Sequence, residues 1–256
     1  MVITRLHLLV TRLLPKGWGD LARQILLFCG AYYLYRIVRG LVDGRAAAAF
    51  DNARELISLE RTLGLFSEPA VHAWAEGKAW LIDLASWMYV NSHFTVTVVT
   101  LAFIYLYRNE SFYFIRNMFM IAMAIALVAY VAYPTAPPRF MPEWGFSDSV
   151  ADFTGVAPDS ASANLLFNPF AAVPSMHVAF ALMLGLPMTS MSRRAWVKTF
   201  WLTYPAIVTF VVVATANHWW MDAILGALTA AAGAAGARWM AGRRPQAWAF
   251  RPVAAR

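Results

Sequence analysis

Two short segments of the chain carry histidines at spacings that suit nucleophilic and acid–base chemistry. Residues 174–177 read Pro-Ser-Met-His at the start of one apolar segment, and residues 218–222 read His-Trp-Trp-Met-Asp at the start of another. His218 and Asp222 are four residues apart, so a helix places them on one face. A carboxylate beside an imidazole fixes its tautomer and makes the other ring nitrogen a better nucleophile. This spacing indicates His218 as a nucleophile and His177 as a second, proton-transferring histidine.

An arginine and a serine complete a set of groups that suits phosphoryl transfer. Arg139, at the end of a Pro-Pro-Arg turn, offers a planar and permanently charged fork for phosphate oxygens. Ser175 adds a hydroxyl donor beside His177. The N-terminus of a helix presents free backbone N–H groups and a partial positive charge, which favour a phosphate. We therefore expect His177 to protonate the departing oxygen and later to activate the acceptor.

Each of these motifs also has an ordinary structural interpretation. Pro-Ser is a common helix start, a His–Asp pair at this spacing is often structural, and an arginine after two prolines fits a membrane interface. Asn91 and His93 lie inside an apolar segment, where polar groups are often functional but also bond between helices. We include both as candidate substrate-binding residues. The agreement of three motifs on one predicted membrane face favours a site.

The composition excludes an ordinary soluble enzyme and a disordered chain. Apolar residues make up 60% of the 256 residues and charged residues only 14%, whereas soluble domains have about 45–50% and about 25%. The net charge of +7 fits basic cytoplasmic loops better than nucleic-acid binding. The single cysteine, Cys29, excludes an intrachain disulfide.

Six apolar segments are candidates to cross a bilayer, which takes about 20 residues per helix. The first is the weakest, because Arg23, Arg36 and Arg39 interrupt it. The last is rich in glycine and alanine, which lets helices approach closely in lipid. We predict an all-α integral membrane protein with a single membrane domain over residues 1–256. The predicted transmembrane helices are roughly 21–42, 79–107, 112–133, 174–191, 195–217 and 218–240.

The distribution of basic residues predicts the orientation. Six spans put both termini and the links near 108–111 and 192–198 on one side, with fourteen basic residues; the other side holds six. The positive-inside rule places the first set in the cytoplasm. We therefore expect cytoplasmic termini, a cell-membrane location and a site on the exoplasmic or periplasmic face.

Two predicted exoplasmic loops, 43–78 and 134–173, are long. Residues 50–66 repeat apolar residues at helical spacing, which predicts an amphipathic helix lying on the outer interface. Its apolar positions are Leu56, Leu59, Leu63 and Phe66. Residues 134–173 show no period, and a loop of that length is usually a lid, a binding loop or disordered.

The order of these motifs resembles the type-2 phosphatidic acid phosphatase superfamily. Pro-Pro-Arg is followed by Pro-Ser-x-His and then by His-x-x-x-Asp. Three segments are similar to one branch, the fungal inositol phosphorylceramide synthases and their bacterial relatives. They are 60–66 (Glu-Arg-Thr-Leu-Gly-Leu-Phe), 133–138 (Tyr-Pro-x-Ala-Pro-Pro) and 168–177 (Asn-Pro-Phe-Ala-Ala-x-Pro-Ser-Met-His). The resemblance covers roughly residues 50–235.

The resemblance implies a six-helix core and a metal-independent reaction through a phosphohistidine, with no cofactor. It assigns His218 as nucleophile, Asp222 as its partner, His177 as general acid and Ser175 as a phosphate contact. Arg139 matches the first basic motif of the family only approximately, because the fuller Lys-x6-Arg-Pro form is missing.

The third motif departs from the typical phosphatase. That motif carries Ser-Arg seven and six residues before its histidine, where this chain has Val211 and Val212. The departure favours the transferase branch over the typical phosphatase.

The leading interpretation is a lipid phosphotransferase or phosphatase that cleaves a lipid phosphoester at the outer leaflet. Its partners would be a lipid phosphate substrate and membrane lipids, and it would transfer a phospho-head group, similar to phosphoinositol, to a lipid hydroxyl. One alternative is a simple phosphatase acting on phosphatidic acid, phosphatidylglycerophosphate or polyprenyl phosphate. Others are a metal-dependent hydrolase, a haem protein, which needs paired histidines inside facing spans, and a non-catalytic lipid-binding or transport protein.

Overall fold

The computed structural model describes residues 14–42, 45–155 and 170–243. All regular structure in this part of the chain is helical, apart from one isolated bridge between Thr135 and Ala171. The all-α prediction is therefore confirmed for the described residues.

Ten α-helices form the described architecture. They are α1 (Gly17–Val42), α2 (Ala46–Thr62), α3 (Glu68–Glu76), α4 (Ala79–Trp87), α5 (His93–Tyr107), α6 (Asn109–Ala132), α7 (Ser149–Thr154), α8 (Met176–Met191), α9 (Ala195–Ala214) and α10 (Trp220–Arg243). A π-helical turn, Met88–Ser92, joins α4 to α5 in one continuous helix, and two 3-10 turns, Pro138–Phe140 and Pro142–Trp144, precede α7.

Four helices among the described residues are long and apolar enough to cross a membrane. They are Ala79–Tyr107, Asn109–Ala132, Ala195–Ala214 and Trp220–Arg243, and the shorter apolar helix α8 packs among them. Large apolar side chains such as Phe94, Val128 and Leu202 point outwards and are 61–72% exposed. Such exposure is costly in water and favourable in lipid. The structure thus supports four of the six expected spans by length and composition, and α1 and α8 remain expectations.

A buried polar network docks α1 onto the bundle. Asp20 accepts hydrogen bonds from Tyr105 and Tyr113 at 3.1 and 2.7 Å, and Arg116 donates to Gln24 at 2.9 Å. Arg116 is the single charge in an otherwise apolar predicted span, and it is only 5% exposed. Its guanidinium also donates to Oδ1 of Asn117 on the same helix, and these partners explain why a charge is tolerated there, because buried polar groups need hydrogen-bond partners.

Glycines let the central helices approach closely. A Cβ at Gly233 of α10 would lie 2.8 Å from the carbonyl oxygen of Met118 on α6, and one at Gly185 of α8 would lie 2.6 Å from that of Trp201 on α9. Both distances are too short for any side chain, so these positions need glycine. The prediction that small residues in the last span serve helix packing is confirmed.

The amphipathic segment forms a helix, and its position on the outer interface stays a prediction. α2 ends at Thr62, and its buried residues are Ala49, Ala53, Leu56, Ile57 and Glu60. Leu59 and Leu63 are 48% and 55% exposed and do not contribute to that buried face. The small residues of α2 lie instead against the loop containing Ala136 and Met141 and against Trp219.

Part of the long loop 134–173 is ordered around the same cluster. Its two 3-10 turns and α7 place Met141 and Phe146 in the cluster that α2 covers. Residues 156–169, including Asn168 and Pro169 of the family-like segment, lie outside the described residues. Residues 134–155 therefore pack against the start of α10.

Candidate active site

His218 lies in the tight turn between α9 and α10. The backbone N–H groups of Asn217 and His218 both donate to the carbonyl of Val212, at 2.9 and 3.1 Å. Ala216 adopts a positive φ of 53°, which closes the turn. The turn buries His218, which is 5% exposed, at the point where the long helices end.

Asp222 holds the His218 ring from the first turn of α10. Its Oδ2 lies 3.1 Å from Nδ1 of His218 and accepts the backbone N–H of Trp219 at 2.9 Å. Because a carboxylate accepts hydrogen bonds, this contact fixes the proton on Nδ1 and leaves the lone pair on Nε2. The four-residue spacing read from the sequence thus produces the expected contact.

The electrostatic surroundings keep His218 neutral. Burial, reinforced by the positive charge of Arg139, lowers the pKa of His218 to about 3, with the backbone of Ala172 acting in the opposite direction. An imidazole with so low a pKa is unprotonated at neutral pH, so one ring nitrogen keeps the lone pair that a nucleophile needs.

His177 faces His218 from the start of α8. Their ring centroids are 5.5 Å apart, with an angle of 62° between the ring planes. Ser175 caps α8, and its Oγ accepts the N–H of Val178 at 3.4 Å. The serine side chain is fully buried, and its hydroxyl proton is still free to be donated.

The starts of α8 and α10 are fixed to each other through their backbones. The N–H of Ser175 donates to the carbonyl of Asp222 at 3.0 Å. A Cβ at Gly226 would collide with the carbonyl oxygen of Ser175, so only glycine permits this approach. The distance between the two histidines is therefore set by backbone contacts.

The π-helical turn brings two further aromatic rings against His177. Tyr89 stacks on the His177 ring with centroids 4.7 Å apart, and the His93 ring is 4.5 Å away. The Tyr89 hydroxyl also contacts the guanidinium of Arg139. Asn91 is exposed, and its amide donates to the Trp87 carbonyl. The structure brings His93 to the candidate site but not Asn91, and sequence reasoning missed Tyr89.

Arg139 is anchored directly on the turn that carries His218. Its N–H donates to the carbonyl of Ala216 at 2.8 Å, and its guanidinium donates to the Oδ1 of Asn217. The Oδ2 of Asp148 lies 3.4 Å from its Nε. Asn217 in turn donates to Thr215, so its amide is held in one orientation. The arginine thus lies beside His218, as the motifs suggested.

The two valines that replace Ser-Arg of the third family motif are part of the core. Val211 and Val212 are 5% and 0% exposed and pack in the helix bundle. Val212 supports the site only through its carbonyl, which holds the His218 turn. No basic side chain occupies these positions.

The N-terminus of α10 differs from the sequence expectation in one important way. Its N–H groups were expected to face a phosphate, but those of Trp219, Trp220 and Met221 each donate to a carboxyl group, of Asp222, Glu68 and Glu60 respectively. The N-terminus of α10 is thus occupied by protein groups. The N-terminus of α8 is the one that remains suitable for an anion.

No group of three or more His, Cys, Asp or Glu side chains among the described residues is arranged to hold a metal ion.

One comparison with known proteins identifies the family of the chain. The model of the PAP2 superfamily matches residues 54–236, a stretch that includes His177, His218, Asp222, Arg139 and the π-helical turn. Comparisons with curated proteins and with solved structures gave no match. The family match spans more than half of the chain and runs from α2 to α10. The chain belongs to the PAP2 superfamily.

Proposed function

We propose that this protein is a membrane-embedded enzyme that cleaves a lipid phosphoester through a phosphohistidine on His218. Membership in the PAP2 superfamily indicates a phosphatase or phosphotransferase acting on phosphoesters. The observation that carries the finer proposal is the His218–Asp222 pair with the His177 ring facing it at 5.5 Å. In this proposal His218 is the nucleophile, and His177 acts on the same phosphate.

The first step forms the phosphoenzyme. The Nε2 lone pair of His218 attacks phosphorus, and the bond from phosphorus to the leaving oxygen breaks. His177 gives a proton to that oxygen, so the first product leaves as an alcohol. When the substrate is a phosphomonoester, this alcohol is the free lipid alcohol. Asp222 stabilises the positive charge that develops on the His218 ring.

The second step regenerates the enzyme. His177 takes the proton from the hydroxyl of water or of a lipid acceptor, and the acceptor oxygen attacks phosphorus while the bond to Nε2 breaks. Arg139, the N-terminus of α8 and the Ser175 hydroxyl would hold the phosphate oxygens through both steps. His93 and Tyr89 would hold His177 in place.

We further propose that the acceptor is a lipid hydroxyl, which makes the enzyme a transferase for a phospho-head group. Support comes from the resemblance of residues 60–66 to the inositol phosphorylceramide synthase branch and from the absence of an arginine at Val211 and Val212. A transferase binds a phosphodiester, which carries one negative charge fewer than a phosphomonoester at high pH. One strong cation, Arg139, suits that lower charge.

A product analysis tests this function. Purified protein in detergent or vesicles is incubated with an extract containing labelled phospholipids and lipid alcohols, and products are identified by mass spectrometry. We expect a new phospho-head-group lipid, with turnover preserved in excess chelator. Release of inorganic phosphate without transfer would identify the simple phosphatase. Binding without turnover would identify a lipid-binding protein. Loss of turnover in chelator, restored by one divalent metal, would overturn the phosphohistidine mechanism.

We propose that the site faces the exoplasmic side, because the positive-inside rule places the termini in the cytoplasm. Cysteine labelling tests this orientation in a Cys29→Ser background. Glu143→Cys and Arg193→Cys lie at opposite ends of the bundle, and both positions are exposed. An impermeant thiol reagent should label Glu143→Cys in intact cells and Arg193→Cys only after permeabilisation. The reverse pattern would overturn the orientation.

A further inference from the structure

Three buried carboxyl groups bind three consecutive N–H groups at the start of α10. The N–H of Trp219 donates to Asp222 at 2.9 Å, that of Trp220 to Oε1 of Glu68 at 2.9 Å, and that of Met221 to Oε1 of Glu60 at 2.7 Å. Asp222 belongs to α10 itself, whereas Glu60 comes from α2 and Glu68 from α3. The two glutamates therefore tie the helix that carries Asp222 to α2 and α3.

The second carboxyl oxygen of each glutamate, Oε2, indicates how the two side chains interact. Oε2 of Glu60 and Oε2 of Glu68 are both fully buried, and neither finds another partner when both side chains are treated as carboxylates. The two carboxyl groups are nevertheless within hydrogen-bonding reach of each other. Two adjacent buried carboxylates repel strongly, whereas a carboxylic acid and a carboxylate form a strong hydrogen bond. One proton between them satisfies both orphaned oxygens.

The titration of Glu60 agrees with a shared proton. Burial, followed by the hydrogen bond to Glu68, raises the pKa of Glu60 to about 9. Among the described residues, the titratable groups that face Glu60 are Glu68 on α3 and Asp222 on α10, and both act in the same direction. At neutral pH Glu60 therefore keeps its proton and can donate it to Glu68.

We propose that Glu60 and Glu68 are positioning residues for His218, and that they share one proton while binding the N-terminus of α10. The single charge complements the positive end of the helix. Oε1 of each glutamate accepts a backbone N–H, that of Trp220 or Met221, just before Asp222. Oδ2 of Asp222 in turn holds the His218 ring. Removing the shared proton would place two negative charges together and loosen this attachment.

Glu60→Gln separates the shared proton from the hydrogen bonds. The amide of glutamine can accept the Met221 N–H through its oxygen and donate to Glu68 through its nitrogen, so it mimics the protonated state permanently. We expect its activity at pH 7 to stay within about threefold of wild type. At pH 10, one unit above the pKa, wild-type activity should fall about tenfold, and Glu60→Gln should not show this fall. Glu60→Ala should be impaired at both pH values.

Glu55→Gln is the matched control, because Glu55 is an exposed carboxylate on the same helix. It should follow the wild-type pH profile. The alkaline difference between wild type and Glu60→Gln is the decisive readout, because titration of other groups affects both proteins equally. If both lose activity alike between pH 8 and 10, the shared proton does not position His218.

The activity readout rests on the proposed function. Thermal unfolding gives a second readout that does not depend on it. Between pH 4.5, the usual value for a glutamate, and pH 9, the folded state binds a proton that the unfolded state has lost. The stability of wild type should therefore fall as the pH rises through this window. Glu60→Gln should show a flatter dependence of its unfolding midpoint on pH. Equal slopes would overturn the shared proton, whereas a protein without turnover but with unequal slopes would overturn only the proposed function.

Discussion

His218→Ala is expected to abolish both lipid turnover and the trapping of labelled phosphate on the protein. The reason is that Nε2 of His218 would form the covalent bond to phosphorus, and alanine leaves no nucleophile in its place. The measurement is acid-labile phosphate labelling of purified variants, read beside turnover. His72→Gln is a control, because His72 is another fully buried histidine, bonded to Ala214 and Ser147 rather than to the site. It should still be labelled, although its unfolding temperature should fall.

His177→Ala should have a different phenotype. Loss of a general acid–base group slows a reaction by roughly 10²–10⁴. Labelling of His218 should nevertheless persist with a substrate whose leaving group is acidic, since such a group needs little protonation. The two variants together assign the roles. If His218→Ala remains active, or if the label is found on His177, the assignment is wrong even though the family is right.

The part of the site that could be predicted from the sequence is the part encoded by short, local spacings. His218 and Asp222 meet because residues four apart share a helix face, and His177 lies at a helix start, as its Pro-Ser prefix indicates. The agreement of three motifs on one predicted face also placed Arg139 near them. These inferences needed only helix geometry and topology.

The residues that were missed depend on register or on tertiary burial. Tyr89 reaches His177 because the helix takes one π-helical turn, and an α-helical pattern gives no sign of that turn. Asn217 precedes the histidine without any motif, yet its amide anchors Arg139. Such contacts arise from the folded turn and carry no periodic signal.

Glu60 and Glu68 were missed because they are charged residues that the fold buries. Helical periodicity assigns charged residues to the polar face, so a pattern of this kind predicts that Glu60 is exposed. The structure buries Glu60 instead. A buried carboxyl group is stable there because the start of α10 supplies unpaired N–H groups that need acceptors. Only the fold reveals that need.

Asp222→Asn is expected to lower kcat by about 10²–10³, the usual worth of one preorganised electrostatic contact, while leaving substrate binding nearly unchanged. The geometry determines how the variant fails. A single oxygen, Oδ2, accepts from both His218 Nδ1 and the Trp219 N–H. An asparagine must place its carbonyl oxygen there to satisfy the backbone donor, so it also keeps the proton on Nδ1 and preserves the tautomer. What it removes is the negative charge that stabilises the positive phosphohistidine.

Asp222→Ala separates the charge from the tautomer. Alanine removes the acceptor as well, so the His218 ring is free to turn and the Trp219 N–H loses its partner, and the loss of kcat should exceed that of asparagine by a further order of magnitude or more. Trapped phosphate should decay faster in Asp222→Asn than in wild type when acceptor is withheld, because the phosphoimidazolium lacks its counter-charge. If Asp222→Asn and Asp222→Ala are equally impaired, the carboxylate acts only by orienting the ring. If Asp222→Asn keeps wild-type kcat, the charge of Asp222 has no part in the reaction.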